Sequence, residues 1–361
     1  MQSRVLPAEV CARIVRYAYR GDLPALCRTS KLFQEHAEAR LYQEITLQDP
    51  RVVSRICGSL LAHDGRRASY LRRFWVSIET RPFLRVPVSE QFWRLISDVL
   101  PKADNLELLL AWNPEVCSSL LMDPTSVHFQ LRDAIFQLSW DKHLVAFLQT
   151  QRKVHSLTIS GVDVQADDNG TTRIQPISSD CLPELITYEG PLEVATELLS
   201  RPLRHVQAQI MDEDGDVLLT FLAKAARSSK TLRSLNAIVI PEFLVCDVLR
   251  ILADSPLSEH LRHLGVLALP LSELERCDMH RSLLKFYRLE MLQIDLSHWP
   301  GIVPAFQRVV ASELRIYCPS LRLIFFWLGH HQMLWRCENE QWNAVQSVER
   351  RLAQNTYWRN F

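Results

Sequence analysis

From residue 71 onward one arrangement of apolar and polar positions keeps returning: an apolar residue, two free positions, a second apolar residue, then alternation. It is read in Leu71-x-x-Phe74-x-Val76-x-Ile78, Leu106-x-x-Leu109, Val154-x-x-Leu157-x-Ile159, Leu182-x-x-Leu185 and Leu203-x-x-Val206. It continues in Leu232-x-x-Leu235-x-Ala237-x-Val239, Leu261-x-x-Leu264-x-Val266, Leu289-x-x-Leu292-x-Ile294-x-Leu296 and Leu321-x-x-Ile324-x-Phe326-x-Leu328. The first residues of these nine copies are separated by 35, 48, 28, 21, 29, 29, 28 and 32 positions. Five of the eight spacings lie between 28 and 32, a period that independent hairpins or helices would not keep. The alternation predicts a short strand in each copy. Helical stretches follow, such as Pro191 to Leu199, Asp216 to Ala226, Pro241 to Ala253, Pro270 to Tyr287 and Pro300 to Tyr317. Proline suits the first helical turn because no amide hydrogen is needed there.

A strand and a helix every 28 residues or so predict parallel strands inside and helices outside. Alternation points the anchor leucines inward and their neighbours outward. Leu232→Ala or Leu292→Ala is therefore expected to cost about 2–5 kcal/mol, unlike a change at Ser234 or Gln293. The 48-residue gap holds extra material: Val127 to Leu138 and Lys142 to Leu148 read as helix, broken or in two pieces. Residues 162–180 are polar and predict a surface loop or hairpin. After Gly329, Met333 to Arg336 and Trp342 to Val345 predict a hairpin, and Ser347 to Gln354 a closing helix.

The chain before residue 50 has a different pattern. Leu6-Pro7 is an extended entry, because proline pushes the residue before it out of the helical region. Val10, Ile14 and Tyr17 then recur at helical spacing, with Glu9, Arg13, Arg16 and Arg20 on the other side. Gly21-Asp22 ends that helix and caps the next. Leu23, Leu26, Cys27 and Ser30 stripe a second helix, and Phe33, Ala37 and Leu41-Tyr42 a third. Val52, Val53, Ile56, Leu60 and Leu61 make a linking helix. A unit of about 40 residues buries too little surface to stand alone, so something must cover it.

The pattern Leu6-Pro7-x-Glu9-Val10, followed by Ile14, Leu23, Leu26, Ser30, Phe33, Ala37 and Leu41-Tyr42, resembles the F-box. That three-helix module docks onto the Skp adaptor of cullin-RING ubiquitin ligases. The periodic part resembles leucine-rich repeats in degenerate form. Together they imply an α/β fold class: an F-box-like module in 1–47, a linking helix in 48–69, a leucine-rich-repeat-like solenoid in 70–328 and a hairpin/helix cap in 329–361. The implied function is that of a substrate-recognition adaptor of an SCF-type ubiquitin ligase, with no enzymatic activity of its own. Leu6, Pro7, Val10, Ile14, Leu23, Leu26 and Phe33 would bind the Skp-type adaptor, and the solenoid an unknown target protein. The alternative is a free-standing leucine-rich-repeat scaffold binding protein or RNA. For the module alone, the alternative is an ordinary helical cap on the domain that follows.

Charge changes little in this picture. Lysine plus arginine and aspartate plus glutamate number 41 each, so no net field recruits nucleic acid or membrane. Residues 1–100 carry 16 basic against 10 acidic groups, densest at Arg66-Arg67 and Arg72-Arg73, where a solvated face is preferred over a phosphate site. Nucleic acid is disfavoured as a partner and a membrane is excluded, since no apolar run approaches the roughly 18 residues of a span. The nine cysteines show no CxxC clip and sit in apolar patterns, which suggests a reducing compartment, cytoplasmic or nuclear. Neither a phosphate loop nor GxGxxG, GxSxG or HExxH occurs, so no catalytic residue, metal or cofactor is expected. Asp212 to Asp216 reads as helix capping rather than a calcium loop, His330-His331 as loop histidines, and Arg66-Arg67-Ala68-Ser69 as a chance kinase-like match.

The outward row of the strands remains. Counting along each copy gives Trp75, Trp112, Tyr188, His205, Gln207, Asn236, His263, Gln293, Asp295, Phe325 and Trp327 as the target-binding surface. Its centre is polar and uncharged, and its ends are aromatic, the composition of a protein-binding patch. For Trp75 and Trp327 packing under the flanking modules is an equal alternative.

Overall fold

The structure, a computed structural model, describes residues 6–77, 90–112, 123–162, 165–166, 172–209, 215–228, 232–238, 240, 242–329, 331–349 and 357–361. It divides into two units, Met1–Leu182 and Pro183–Phe361. Among the described residues, five strands of the first unit and eight of the second lie in mostly parallel sheet, and the fold is α/β.

In the first unit α1 (Ala8–Tyr17), α2 (Leu23–Leu26) and α3 (Lys31–Leu41) enclose a small core of Val15, Leu23 and Ala37, flanked by Ala18, Leu26, Cys27, Phe33 and Leu41. Pro7 starts α1 from extended backbone, and the Ser30 hydroxyl accepts from the Phe33 amide at 3.3 Å to start α3. Arg40 donates to the carbonyls of Val15 and Ala18, two of the acceptors that a helix end leaves open. Glu38, buried on α3, takes Arg67 at 2.8 Å and Arg66 at 3.0 Å. Burial would raise its carboxyl, but hydrogen bonds from Arg67, Gln34 and Arg66 outweigh it and hold the carboxyl below its ordinary value. Arg67 is half-buried in this pairing, while Arg66 stays exposed at the surface.

Next come β1 (Glu44–Leu47), α4 (Pro50–Leu61), β2 (Arg73–Ser77), α5 (Glu90–Val99), β3 (Leu108–Trp112), β4 (Asp133–Trp140), α6 (Lys142–Thr150) and β5 (Ser156–Val162). Asp49 and Asp141 cap α4 and α6 with their carboxylates. The strands β1 to β5 pair in chain order and in parallel, with Leu47 opposite Val76, Phe74 opposite Leu109, and Ala134 between Leu109 and Leu157. A short antiparallel pair, β6 (Gln165–Ala166) and β7 (Thr172–Arg173), follows.

Two expectations are corrected here. The segment expected as a separate helical module supplies β1, whose Leu47 is fully buried against β2, so the fold class is an α/β architecture on a mostly parallel sheet rather than a helical module set in front of a solenoid. Within the gap, Asp133 to Leu138 is strand and not helix. Ala134, Phe136, Leu138 and Trp140 are buried at every second position, which is the period of a strand. Leu131-x-x-Ala134 is a further copy of the apolar pattern, hidden by an alanine where the other copies carry a larger residue.

The second unit runs β8 (Thr187–Pro191), α7 (Leu192–Leu198), β9 (His205–Gln209), α8 (Asp216–Ser228), β10 (Ser234–Ile238), α9 (Val245–Ala253), β11 (His263–Ala268), α10 (Glu273–Leu283), β12 (Met291–Asp295), α11 (Pro304–Tyr317), β13 (Leu323–Leu328), β14 (His331–Glu338) and β15 (Gln341–Glu349). The strands β8 to β13 are parallel neighbours in chain order, and β13, β14 and β15 are antiparallel. Val206, Leu235, Leu264, Leu292 and Ile324 form one buried row across five strands. Truncating Leu292 to alanine is expected to cost about 2–5 kcal/mol in urea unfolding at unchanged m-value, because its site is fully buried and packed on both sides. The contrast expected with Ser234 and Gln293 does not hold: both are fully buried as well. Of the expected closing helix, Ser347 to Glu349 belong to β15 and 350–354 lie outside the described residues. Ile78, 162–180 in large part, Asp212 to Asp214, Val239 and His330 fall on residues whose placement or side chains are likewise outside the described set. Among the described residues, no helix is long and apolar enough to cross a membrane.

Candidate protein interfaces

The outer face of α1 is apolar and open. Val10, Ile14 and Tyr17 follow one another at spacings of four and three, which sets them on one face of the helix, with Leu6 just ahead of it; the relative exposures of Leu6, Val10, Ile14 and Tyr17 are 47, 41, 42 and 74%. Cys11 and Val15 on the opposite face are buried. Beside the ridge lies a shallow groove of about 780 Å³ walled by Val10, Ile14, Ala18 and Leu26, with Glu9, Arg13 and Asp22 at its edge. Pro7 is exposed at the head of the helix, where its carbonyl accepts from the Val10 and Cys11 amides at 3.1 Å. Of the seven residues expected to bind an adaptor, the structure brings Leu6, Pro7, Val10 and Ile14 to this surface and puts Leu26 on the groove wall. Leu23 is fully buried, and Phe33 is half-buried against the module's core, so both support the surface from within.

The expected target-binding row is placed less uniformly. In the first unit Trp75 and Trp112 stand exposed on β2 and β3. In the second unit the row is a buried polar layer. The Ser234 hydroxyl meets His263 Nδ1 at 2.7 Å, Gln293 Nε2 meets His263 Nε2 at 2.9 Å, and Trp327 Nε1 donates to Gln293 Oε1 at 3.0 Å. Indole N–H can only donate, so it fixes which end of Gln293 faces the imidazole. That end is the amide N–H₂, so His263 Nε2 accepts and its Nδ1–H donates to Ser234. Burial, reinforced by nearby His205, pushes His263 down to about 3, which agrees with a neutral ring. On the next row Asn236 donates to Gln207 at 2.9 Å, and Gln207 donates to Glu189 at 2.8 Å. Gly265 makes room for this layer, since a Cβ there would stand 2.8 Å from the Gln293 side chain.

Three residues depart from their expected roles. Tyr188 is fully buried on the core side opposite Val206, with its hydroxyl donating to the Pro191 carbonyl at 2.9 Å. The β8 register starts from Leu185 rather than Leu182, which makes Glu189 the outward residue that sequence reading missed. Asp295 is half-buried and closes a turn by accepting from the Ser297 amide at 2.8 Å and hydroxyl at 2.5 Å. Phe325 joins Met291 and Leu334 in a satellite cluster.

The second unit's last residues lie on this layer. Arg359 reaches Glu189 at 2.7 Å, Trp358 is 1% exposed, and the Phe361 ring stacks on His263 with centroids 5.7 Å apart and planes at 15°. Burial lowers His205, against a hydrogen bond with the Trp358 backbone that works the other way. Among the described residues, no group of three His, Cys, Asp or Glu is arranged to hold a metal ion.

No family model matches the chain, and no curated protein matches it. Among solved structures the chain is similar to a ribokinase from Giardia lamblia, matched with probability 1.00 at 12% sequence identity and a TM-score of 0.25. The match takes in 54% of this chain and 61% of that one, so it spans less than two thirds of the ribokinase. A TM-score of 0.25 gives this chain neither that protein's fold nor its activity. The substrate-adaptor function with its free-standing scaffold alternative, the designation as no enzyme, and the F-box, leucine-rich-repeat and ubiquitin-ligase labels rested on a separate helical module set in front of a solenoid, and they are withdrawn with it, because that segment supplies a strand of the mostly parallel sheet.

Proposed function

We propose that the chain binds a partner protein through the outer face of α1. The observation that carries the reading is the ridge of Leu6, Val10, Ile14 and Tyr17, four large apolar side chains that are all exposed, three of them on one face of α1 lining a groove and Leu6 just ahead of the helix. Water contact with such a ridge is unfavourable, and burying a side chain of this size contributes on the order of 1.5–3 kcal/mol. The complementary surface is an apolar helix with charges at its rim to meet Glu9, Arg13 and Asp22. A Skp-type adaptor, the partner implied by the pattern of this segment, supplies the first probe. The proposal concerns docking alone and assigns no ligase role.

The test is a binding titration of the full chain against purified adaptor. Ile14→Glu and Val10→Glu are expected to weaken binding at least about tenfold, since a charge desolvated at the centre of an interface exceeds the 1.4 kcal/mol which that factor represents. Both positions are already in water, so the unfolding midpoint should stay nearly constant. Wild-type chain that binds no adaptor, or binds it equally well with Glu at both positions, removes the proposal.

A further inference from the structure

We propose that the polar layer on β8 to β13 is a recognition site for a partner's polypeptide segment of aromatic–arginine–x–aromatic chemistry. In the resting chain its own Trp358-Arg359-Asn360-Phe361 fills that site as an internal ligand.

The floor beneath these residues is built for recognition rather than for simple packing. A segment that only covers a core meets apolar side chains alone; this one also meets Glu189, His205 and His263. Two of its side chains, Arg359 and Phe361, meet a floor group of matching chemistry. The guanidinium of Arg359 has a carboxylate whose second oxygen is already oriented by Gln207. The ring of Phe361 has a neutral imidazole to stack on, flanked by the apolar cluster of Met291, Phe325 and Leu334. Trp358 is buried almost completely. The floor is also held in advance, because the Ser234, His263, Gln293 and Trp327 chain of hydrogen bonds fixes the imidazole plane on which the ring stacks.

The internal ligand does not use everything the floor offers. Asn236 Oδ1 and His205 Nδ1 are buried on this face and lack a hydrogen-bond partner. A segment from another protein that keeps the arginine and the aromatic groups, and adds a donor for Asn236, makes bonds that the internal segment forgoes. The internal segment in turn has the advantage of tethering, an effective concentration in the millimolar range for a short link, so only a better-matched segment displaces it. The site is separate from the α1 face, and neither proposal depends on the other.

The test uses the full chain and a labelled peptide with the sequence of Thr356 to Phe361, acetylated and amidated at its ends. Wild type and the double variant Arg359→Glu/Phe361→Ala, whose own last residues no longer fit, are titrated by fluorescence polarisation. The released variant is expected to bind at least about tenfold more tightly than wild type, as removal of a tethered competitor requires. Adding Glu189→Arg should abolish that binding, and a peptide with glutamate in place of the arginine should restore it. Ile14→Glu should change nothing. If the double variant does not fold, Arg359→Ala alone is titrated in its place. A folded variant that binds the peptide no better than wild type overturns the proposal, as does loss of folding in both variants, since the last residues would then be a structural plug and not a ligand.

Discussion

Gln293→Leu should destabilise the second unit by about 3–5 kcal/mol, as much as a large core truncation, although glutamine and leucine are of similar size. Gln293 is fully buried and holds two groups at once, accepting from Trp327 Nε1 and donating to His263 Nε2. Leucine leaves an indole N–H and an imidazole nitrogen in a dry layer, each at a desolvation penalty of roughly 1–3 kcal/mol. The signature is non-additivity. Trp327→Phe made in the Gln293→Leu background should restore part of the loss, because it removes one orphaned donor, whereas Trp327→Phe alone should be destabilising by leaving Gln293 Oε1 unmatched. Urea unfolding of the four proteins, followed by a probe in the second unit, closes the cycle. Additive costs would mean that Gln293 and Trp327 do not act as a pair.

The same layer marks where the sequence could be read and where it could not. The strands β10 to β13 were legible because leucines at constant spacing record a core row, and the row is there in the register Leu235, Leu264, Leu292, Ile324. β4 was hidden because Ala134 replaces the larger residue of the pattern, and the surrounding Phe129, Leu131, Ile135 and Leu138 can be drawn on a helix as easily. In β8 an inward tyrosine broke the count. Its apolar ring satisfies the core position while its hydroxyl turns back to the Pro191 carbonyl, so a large polar-capable residue passed for an outward one and Glu189 was overlooked. In the second unit His205, Gln207, Asn236, His263 and Gln293 lie on the outward row as read, but buried, whereas Trp75 and Trp112 of the first unit are exposed. Polar residues on a strand signal solvent only when nothing else covers them, and here residues more than 60 positions further along the chain do, a contact that no local pattern records. The exposed ridge on α1 was legible for the opposite reason: Val10, Ile14 and Tyr17 sit within one helix, so spacing alone sets them side by side.

That cover has a titration consequence. His263 is fully buried, with both ring nitrogens engaged and its own ionisation moved from the ordinary 6.5 to about 3. The unfolded chain takes up the proton near its ordinary value, so from about pH 6.5 downward the unfolded state binds more protons than the folded state and stability falls with pH. The contribution is complete above pH 6.5, shrinks with a limiting slope of about 1.4 kcal/mol per pH unit, and levels off near the folded value of about 3. By pH 5 the loss from this one side chain amounts to about 2 kcal/mol. His205, facing the same layer from β9 with Arg204, Arg233 and Arg359 near it, is lowered too, so wild type should lose more than His263 alone accounts for. The difference between wild type and His263→Gln isolates the single group. Unfolding free energies at pH 7.5 and pH 5 should show wild type losing about 2 kcal/mol more than the variant over that interval. Equal losses in the two proteins would mean that the imidazole accepts its proton in place, and the neutral ring on which Phe361 stacks would have to be abandoned.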